Sequence, residues 1–187
     1  MQAPGGGPIV TLLTVGHGTA TQQQLTELLR GAGVGLVVDV RRFPGSRRHP
    51  HVATERLEQW LPAAGVDYRW EPRLGGRRRV PPGEEDADPW WRVEAFRGYA
   101  AHTRGEEFEA AFADLLVELA ARPDASTAVM CSETLWWRCH RRLIADVAVL
   151  LHEVPVRHLG HDGGLSEHVP AAGARIASDG LRYDRAG

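Results

Sequence analysis

The stretch "TAVMCSETLWWRCHRRLIADVAVLL" covers residues 127–151 and holds both cysteines of the chain. It opens on an apolar, β-branched run, crosses a seven-residue loop (132–138) and enters a segment whose apolar residues recur at helical spacing. The next apolar run, "VPVRHL" (154–159), reads as a strand. Strand, helix and strand in succession describe a crossover, and crossovers join parallel strands.

The same alternation runs upstream. "PIVTLLTVG" (8–16) and "VGLVVDVRR" (34–42) read as buried strands, with Leu25, Leu28 and Leu29 on one face of a short helix between them. Leu57, Trp60 and Leu61 mark a helix over 54–64, and "AAGVDYRW" a third strand. Phe108, Phe112, Leu115, Leu116 and Leu119 mark a clear amphipathic helix over 106–121. "GRRRVPPGEEDADP" reads as a polar, proline-rich loop and the most mobile segment. The expected fold is a single α/β domain over residues 8–168, a mostly parallel sheet flanked by helices in three layers. A loose, Gly-rich tail (169–187) follows, with one hairpin expected somewhere after His161.

Composition narrows the chemistry. The chain has 187 residues, enough for one sizeable domain, and its 43% hydrophobic and 25% charged residues are ordinary for a globular protein. All 22 basic residues are arginine, so Schiff-base chemistry, a lysine-anchored pyridoxal cofactor and a Walker-type lysine are excluded. No apolar run reaches membrane-spanning length, and the start lacks signal-peptide character; with two cysteines this leads us to expect a reducing, cytoplasmic setting. The net charge of −2 provides no global attraction for nucleic acid, yet "RRFPGSRRHPH" (41–51) and "RWEPRLGGRRR" (69–79) are locally basic.

In parallel sheets, ligands bind outside the carboxyl ends of the strands. Here those ends carry Gly16-His17-Gly18, Asp39 to Arg42, and Cys131 to His140. Cys139 is placed at the start of a helix, beside Arg138, Arg141 and Arg142, where a thiol becomes more acidic. Cys131, at the end of an apolar strand, is either a second thiol of the site or a small buried residue. His17 or His140 can serve as acid/base, Glu133 and Asp39 can orient them, and Arg41, Arg42, Arg138 and Arg141 can bind an anion. "FRGYAAH" (96–102) adds Arg97, Tyr99 and His102 as pocket candidates, and Trp136 and Trp137 can stack on a flat group or form a wall.

The spacing Cys131 to Arg138 is C-x6-R, one residue longer than a phosphatase loop, and bulky Leu135, Trp136 and Trp137 fill positions that such a loop keeps small. A rhodanese-like sulfur transfer stays open through "VVDVR". So does a metal site, zinc or iron, on Cys131, Cys139 and His140, with Glu133 and His17 near by, although C-x7-C-H is not a recognised knuckle. "HEVPVRH" (152–158) has the wrong spacing and a proline for a metalloprotease helix, and "GAGVG" (31–35) leads into a strand, so it is not a dinucleotide fingerprint.

Taken together, "TVGHGT", "VVDVRRFPGSRRHPHV", "LGGRRR", "FRGYAAH" and "MCSETLWWRCHRRLIAD" resemble the DUF488 family, in order and over residues 11–168. The resemblance implies that Gly16, His17, Asp39, Arg41, Arg42, Pro44, Arg47, Arg48, Gly75, Gly76, Arg97, Gly98, Tyr99, Cys131, Glu133, Trp137, Arg138, Cys139, His140 and Arg141 form one site. Ser132 and the run "TLW" (134–136) depart from the alanine and proline-containing run common in that family, which alters the loop wall and leaves the polar groups intact. The family has no established reaction, so the functional expectation rests on the residues. The leading expectation is an enzyme with a Cys/His/Arg pocket acting on an anionic, phosphate-containing substrate of nucleotide or nucleic-acid type. The alternatives are a non-catalytic nucleic-acid-binding module using the arginine loops, and a metal-binding or thiol redox protein. Oligomeric state is not legible in the sequence.

Overall fold

The computed structural model describes residues 10–45 and 48–185; Arg47, one of the expected anion ligands, lies outside them. Eight strands and five helices follow in the order β1 (Leu12–Gly16), α1 (Gln22–Gly31), β2 (Val34–Asp39), α2 (Thr54–Ala63), β3 (Asp67–Trp70), α3 (Glu94–Thr103), α4 (Glu106–Ala120), β4 (Ser126–Cys131), α5 (Arg141–His152), β5 (Val156–Leu159), β6 (Leu165–Glu167), β7 (Ala174–Ala177) and β8 (Gly180–Tyr183). The main sheet has the order β3-β2-β4-β1-β5-β6, with β6 the only antiparallel member. This is the three-layer α/β arrangement that the alternating pattern implies.

Side chains alternate across the pleat and so feed two cores. Leu13, Val15, Val37, Ala128 and Met130 pack on Leu25, Leu29, Leu57 and Leu61 of α1 and α2. Leu12, Leu36, Val38, Val129 and Cys131 face the other way, onto α3, α4 and α5 through Tyr99, Phe108, Phe112, Leu143 and Ile144. Helix α1 begins where a capping box stops the strand-to-helix turn: Gln24 N–H donates to Thr21 Oγ1 (3.2 Å), and Thr21 N–H donates to the Gln24 side chain (2.9 Å).

Register sets the level of the site. Gly16 pairs with Cys131 and Asp39 with Met130, so the ends of β1, β2 and β4 share one rim of the sheet. Helix α3 has no counterpart in the sequence reading; its face is short and it carries Gly98 in mid-helix, where an added Cβ would lie 2.4 Å from the Arg78 carbonyl oxygen. The C-terminal hairpin is present as β7–β8, and Leu181 and Tyr183 anchor it in the α3–α5 core. The 76–89 loop carries no helix or strand, yet its Asp88 is buried and ion-paired with Arg104 (2.9 Å) while also accepting from Tyr183 N–H (3.0 Å). No helix among the described residues is long and apolar enough to cross a membrane.

Candidate functional site

The two thiols meet. Cys131 at the end of β4 and Cys139 just before α5 place their Sγ atoms 2.8 Å apart, with both cysteines free. The loop between them folds back because its own backbone serves the sulfurs: Glu133 N–H donates to Cys131 Sγ (3.3 Å), and the Glu133 carbonyl accepts from Arg141 Nη2. Gly16 permits this closeness, since a Cβ there would lie 1.9 Å from the Glu133 carbonyl oxygen. Cys139 is followed by His140, whose Nε2–H donates to the Val40 carbonyl (3.1 Å) and whose Nδ1 lies 3.4 Å from Cys139 Sγ.

The environment splits the acidities of the pair. Burial pushes the Cys139 thiol up, but the hydrogen bond from Cys131, His140 and the Arg141 guanidinium outweigh it and hold Cys139 well below the ordinary thiol range. Burial, then the neighbouring Cys139, push Cys131 well above it. The environment therefore favours the shared proton on Cys131 and makes Cys139 the sulfur that ionises first.

Arg41 closes the opposite wall. Its guanidinium forks onto the buried Asp39 carboxylate (Nε–Oδ1 2.8 Å, Nη2–Oδ2 2.5 Å) and donates to the Val52 carbonyl (2.7 Å), while Tyr68 O–H also donates to Asp39 (2.8 Å). Arg41 Nη1 donates to His17 Nε2 (3.2 Å), and His17 Nδ1–H donates to the Gly18 carbonyl (3.0 Å). Those two bonds fix the tautomer. Burial, then the Arg41 charge, lower His17 to about 4, so it stays neutral with its free lone pair already engaged. As placed, His17 holds Arg41 and is not free to take a proton.

Between these walls lies a cavity of about 560 Å³. His17, Arg41, Arg42, Arg48, Tyr99, Cys131, Glu133, Arg138, Cys139 and His140 of the expected set line it. Arg42, Arg48 and Arg138 are exposed there and, with Arg77, have no carboxylate within ion-pair distance among the described residues. Several expected roles shift. Arg141 is only 1% exposed and stands behind the sulfurs. Tyr99 is a buried wall with its O–H donated to the Leu74 carbonyl (2.6 Å). The Glu133 carboxylate accepts from Leu135 N–H (3.3 Å) and orients neither histidine. Arg97 does not line this cavity, and Trp137 lines a separate cleft with Trp136 and His158. Asp39 acts on Arg41 and not on a histidine.

A family model described as "Domain of unknown function DUF488" matches residues 21–148, more than half of the chain. The chain belongs to the DUF488 family. Comparison with curated proteins and with solved structures finds no match.

Sequence reasoning missed some of this DUF488 site. Phe43, 64% exposed, carries the Arg42 and Arg77 guanidinium groups at 5.6 and 5.9 Å from its ring centroid, and no sequence signal sets it apart. Arg77 has φ of 60°, an uncommon conformation for a side chain of its size. Gly76 admits the His140 ring, whose Nδ1 would lie 2.9 Å from a Cβ at that position. The expected metal trio does gather, but sulfurs 2.8 Å apart do not suit a tetrahedral ion, whose two thiolate ligands stand about 3.8 Å apart. Among the described residues no group of three or more His, Cys, Asp or Glu has a ligating arrangement.

Proposed function

We propose that this DUF488 protein is a thiol-dependent enzyme that acts on an anionic disulfide, with Cys139 as attacking thiolate and Cys131 as resolving thiol. The observation that carries the reading is the contact between two free thiols of opposed acidity, 2.8 Å apart on the wall of an arginine-lined cavity. Arg42, Arg48, Arg77 and Arg138 would hold carboxylate or phosphate groups through forked hydrogen bonds.

The chemistry balances as thiol–disulfide exchange. The Cys139 thiolate attacks one sulfur of the substrate disulfide and expels the other half as a thiolate. Cys131 then loses its proton to the departing thiolate or to solvent and attacks Cys139 Sγ. The second half leaves as a thiolate, two electrons have passed to the substrate, and a Cys131–Cys139 disulfide remains. A low-molecular-weight thiol would reduce that disulfide and restore the pair. A non-catalytic nucleic-acid module would use the arginines and leave the sulfur contact without a role.

Dithiobis-nitrobenzoate, an aromatic disulfide with two carboxylates, tests the reading. The wild-type protein should release two equivalents of aryl thiolate and end as an internal disulfide. Cys131→Ser should release one and hold a stable mixed disulfide on Cys139, while Cys139→Ser should react slowly. First labelling at Cys131, or a wild-type rate no faster than that of an ordinary exposed thiol, would overturn the proposal.

A further inference from the structure

Arg141 is a buried cation without a carboxylate partner. Its side chain is 1% exposed, its contacts are the Glu133 carbonyl, Thr14 Oγ1 (3.4 Å) and the two sulfurs, and no ion pair joins it to any carboxylate among the described residues. A buried charge in that position needs a counter-charge. While Cys139 is a thiolate it supplies one. In a Cys131–Cys139 disulfide it would not.

A second negative group lies at the end of a continuous hydrogen-bonded chain. Asp146 on α5 is fully buried and accepts from His168 Nε2 (2.7 Å), Ala171 N–H (3.1 Å) and Tyr183 O–H (3.0 Å), the pattern of a carboxylate. With Nε2–H donating, His168 Nδ1 accepts from His158 Nε2–H (3.0 Å). His158 Nδ1 then accepts from Thr14 O–H (2.7 Å), and Thr14 Oγ1 accepts from Arg141. Every donor points the same way, from the guanidinium toward the carboxylate. Burial, then His168 and Arg141, lower His158 to about 3, so His158 takes part in the chain as a neutral ring. Trp136 lies flat on His158, with centroids 3.9 Å apart and an interplanar angle of 7°.

We propose that Asp146, acting through His168, His158 and Thr14, is the remote counter-charge of Arg141, and that it sets how far the thiol pair favours its disulfide. This rests on the thiol-exchange reading above. In the reduced site, thiolate and Asp146 together exceed the one positive charge. In the oxidised site, Asp146 alone balances it. Neutralising Asp146 therefore leaves the dithiol state balanced and the disulfide state with an unmatched buried cation. The equilibrium shifts toward the dithiol, and the Cys139 thiolate is favoured. Asp146 is a positioning residue, since it touches neither sulfur nor substrate.

The test equilibrates wild type, Asp146→Asn and Thr14→Val with mixtures of reduced and oxidised dithiothreitol, and counts free thiols by mass spectrometry after alkylation. The same three proteins give the pH profile of iodoacetamide alkylation at Cys139. Asp146→Asn should shift the dithiol–disulfide equilibrium toward dithiol about tenfold, the size of one charge interaction across a protein interior of effective dielectric about 20. Its alkylation profile should move to lower pH. Thr14→Val, which keeps shape and charge but cuts the chain, should shift both the same way by a smaller factor. Thr14→Ser, which restores the hydroxyl, should return both to wild type. A thermal melt separates a packing defect, which lowers the melting temperature and leaves both readouts in place. An Asp146→Asn equilibrium within twofold of wild type, with an unmoved alkylation profile, overturns the inference. A wild type that forms no Cys131–Cys139 disulfide overturns the exchange reading instead. The alkylation profile then still decides whether Asp146 bears on Cys139.

Discussion

Removing the Cys131 sulfur should make Cys139 a weaker acid. In the folded protein, burial opposes the Cys139 thiolate, and the Cys131 S–H at 2.8 Å is the foremost group that offsets it. Hydrogen bonds to charged groups contribute about 1.5–3 kcal/mol, and sulfur donors fall at or below the low end. A loss of about 1.4 kcal/mol corresponds to one pKa unit, so Cys131→Ala should raise the Cys139 pKa by about one unit. Where the thiolate fraction is limiting, its reactivity falls by about tenfold. The assay is the rate of iodoacetamide alkylation against pH, read by intact mass, with the melting temperature recorded for each variant. Cys131→Ser retains a donor and should recover most of the acidity. An alanine variant that keeps both its fold and the wild-type alkylation profile would refute the shared-proton account of the pair.

Gly16→Ala should destabilise severely, because the new Cβ would sit 1.9 Å from a backbone oxygen that cannot yield without moving the thiol loop. A cost of about 3 kcal/mol would lower the melting temperature by roughly 6–12 °C, and an unchanged melt would contradict the geometry. Arg42→Ala with Arg138→Ala should slow exchange with dithiobis-nitrobenzoate at low salt and leave an uncharged dipyridyl disulfide unaffected; equal slowing of both would show that the arginines do not select for charge. His17 is held at about 4 against an unfolded value of 6.5, and His158 at about 3. The unfolded chain therefore takes up more protons between pH 6.5 and 4, and stability falls as pH drops through that window. Urea unfolding should show a loss of about 2–4 kcal/mol between pH 7 and pH 5, and coincident midpoints would count against buried neutral histidines.

Much of the site was legible because its parts stand at strand ends. The apolar runs ending at Gly16, Asp39 and Cys131 announce strands by composition, and parallel strands bring those ends to one rim. Contact between the sulfurs was not legible, since a seven-residue loop allows the thiols to face or to part. It is the Glu133 backbone, not a side chain, that turns the loop inward. The role of Arg141 was hidden for a related reason. On a helical count it is one more arginine in an arginine-rich stretch, and only the packing of α5 against β1 buries it. His158 and His168 are ten residues apart on segments without periodicity, and their link appears only once β6 folds back antiparallel on β5. Helix α3 escaped because Gly98 in mid-helix lowers helix propensity where close packing on the 76–79 loop requires it.

The placement of β1 has a consequence for synthesis. It lies inside the sheet, yet Leu12 pairs with Thr127 on one side and Val156 on the other, so both neighbours leave the ribosome more than a hundred residues later. At translation rates of about 5–20 residues per second, the first strand waits roughly 6–23 s with both edges unpaired. Topologies dominated by such distant pairings fold slowly and expose apolar edges to other chains while they wait. The nascent protein is therefore an expected client of chaperones, and the β1 edge beside Gly16 stays open until the strand that carries Cys131 has emerged to pair with it.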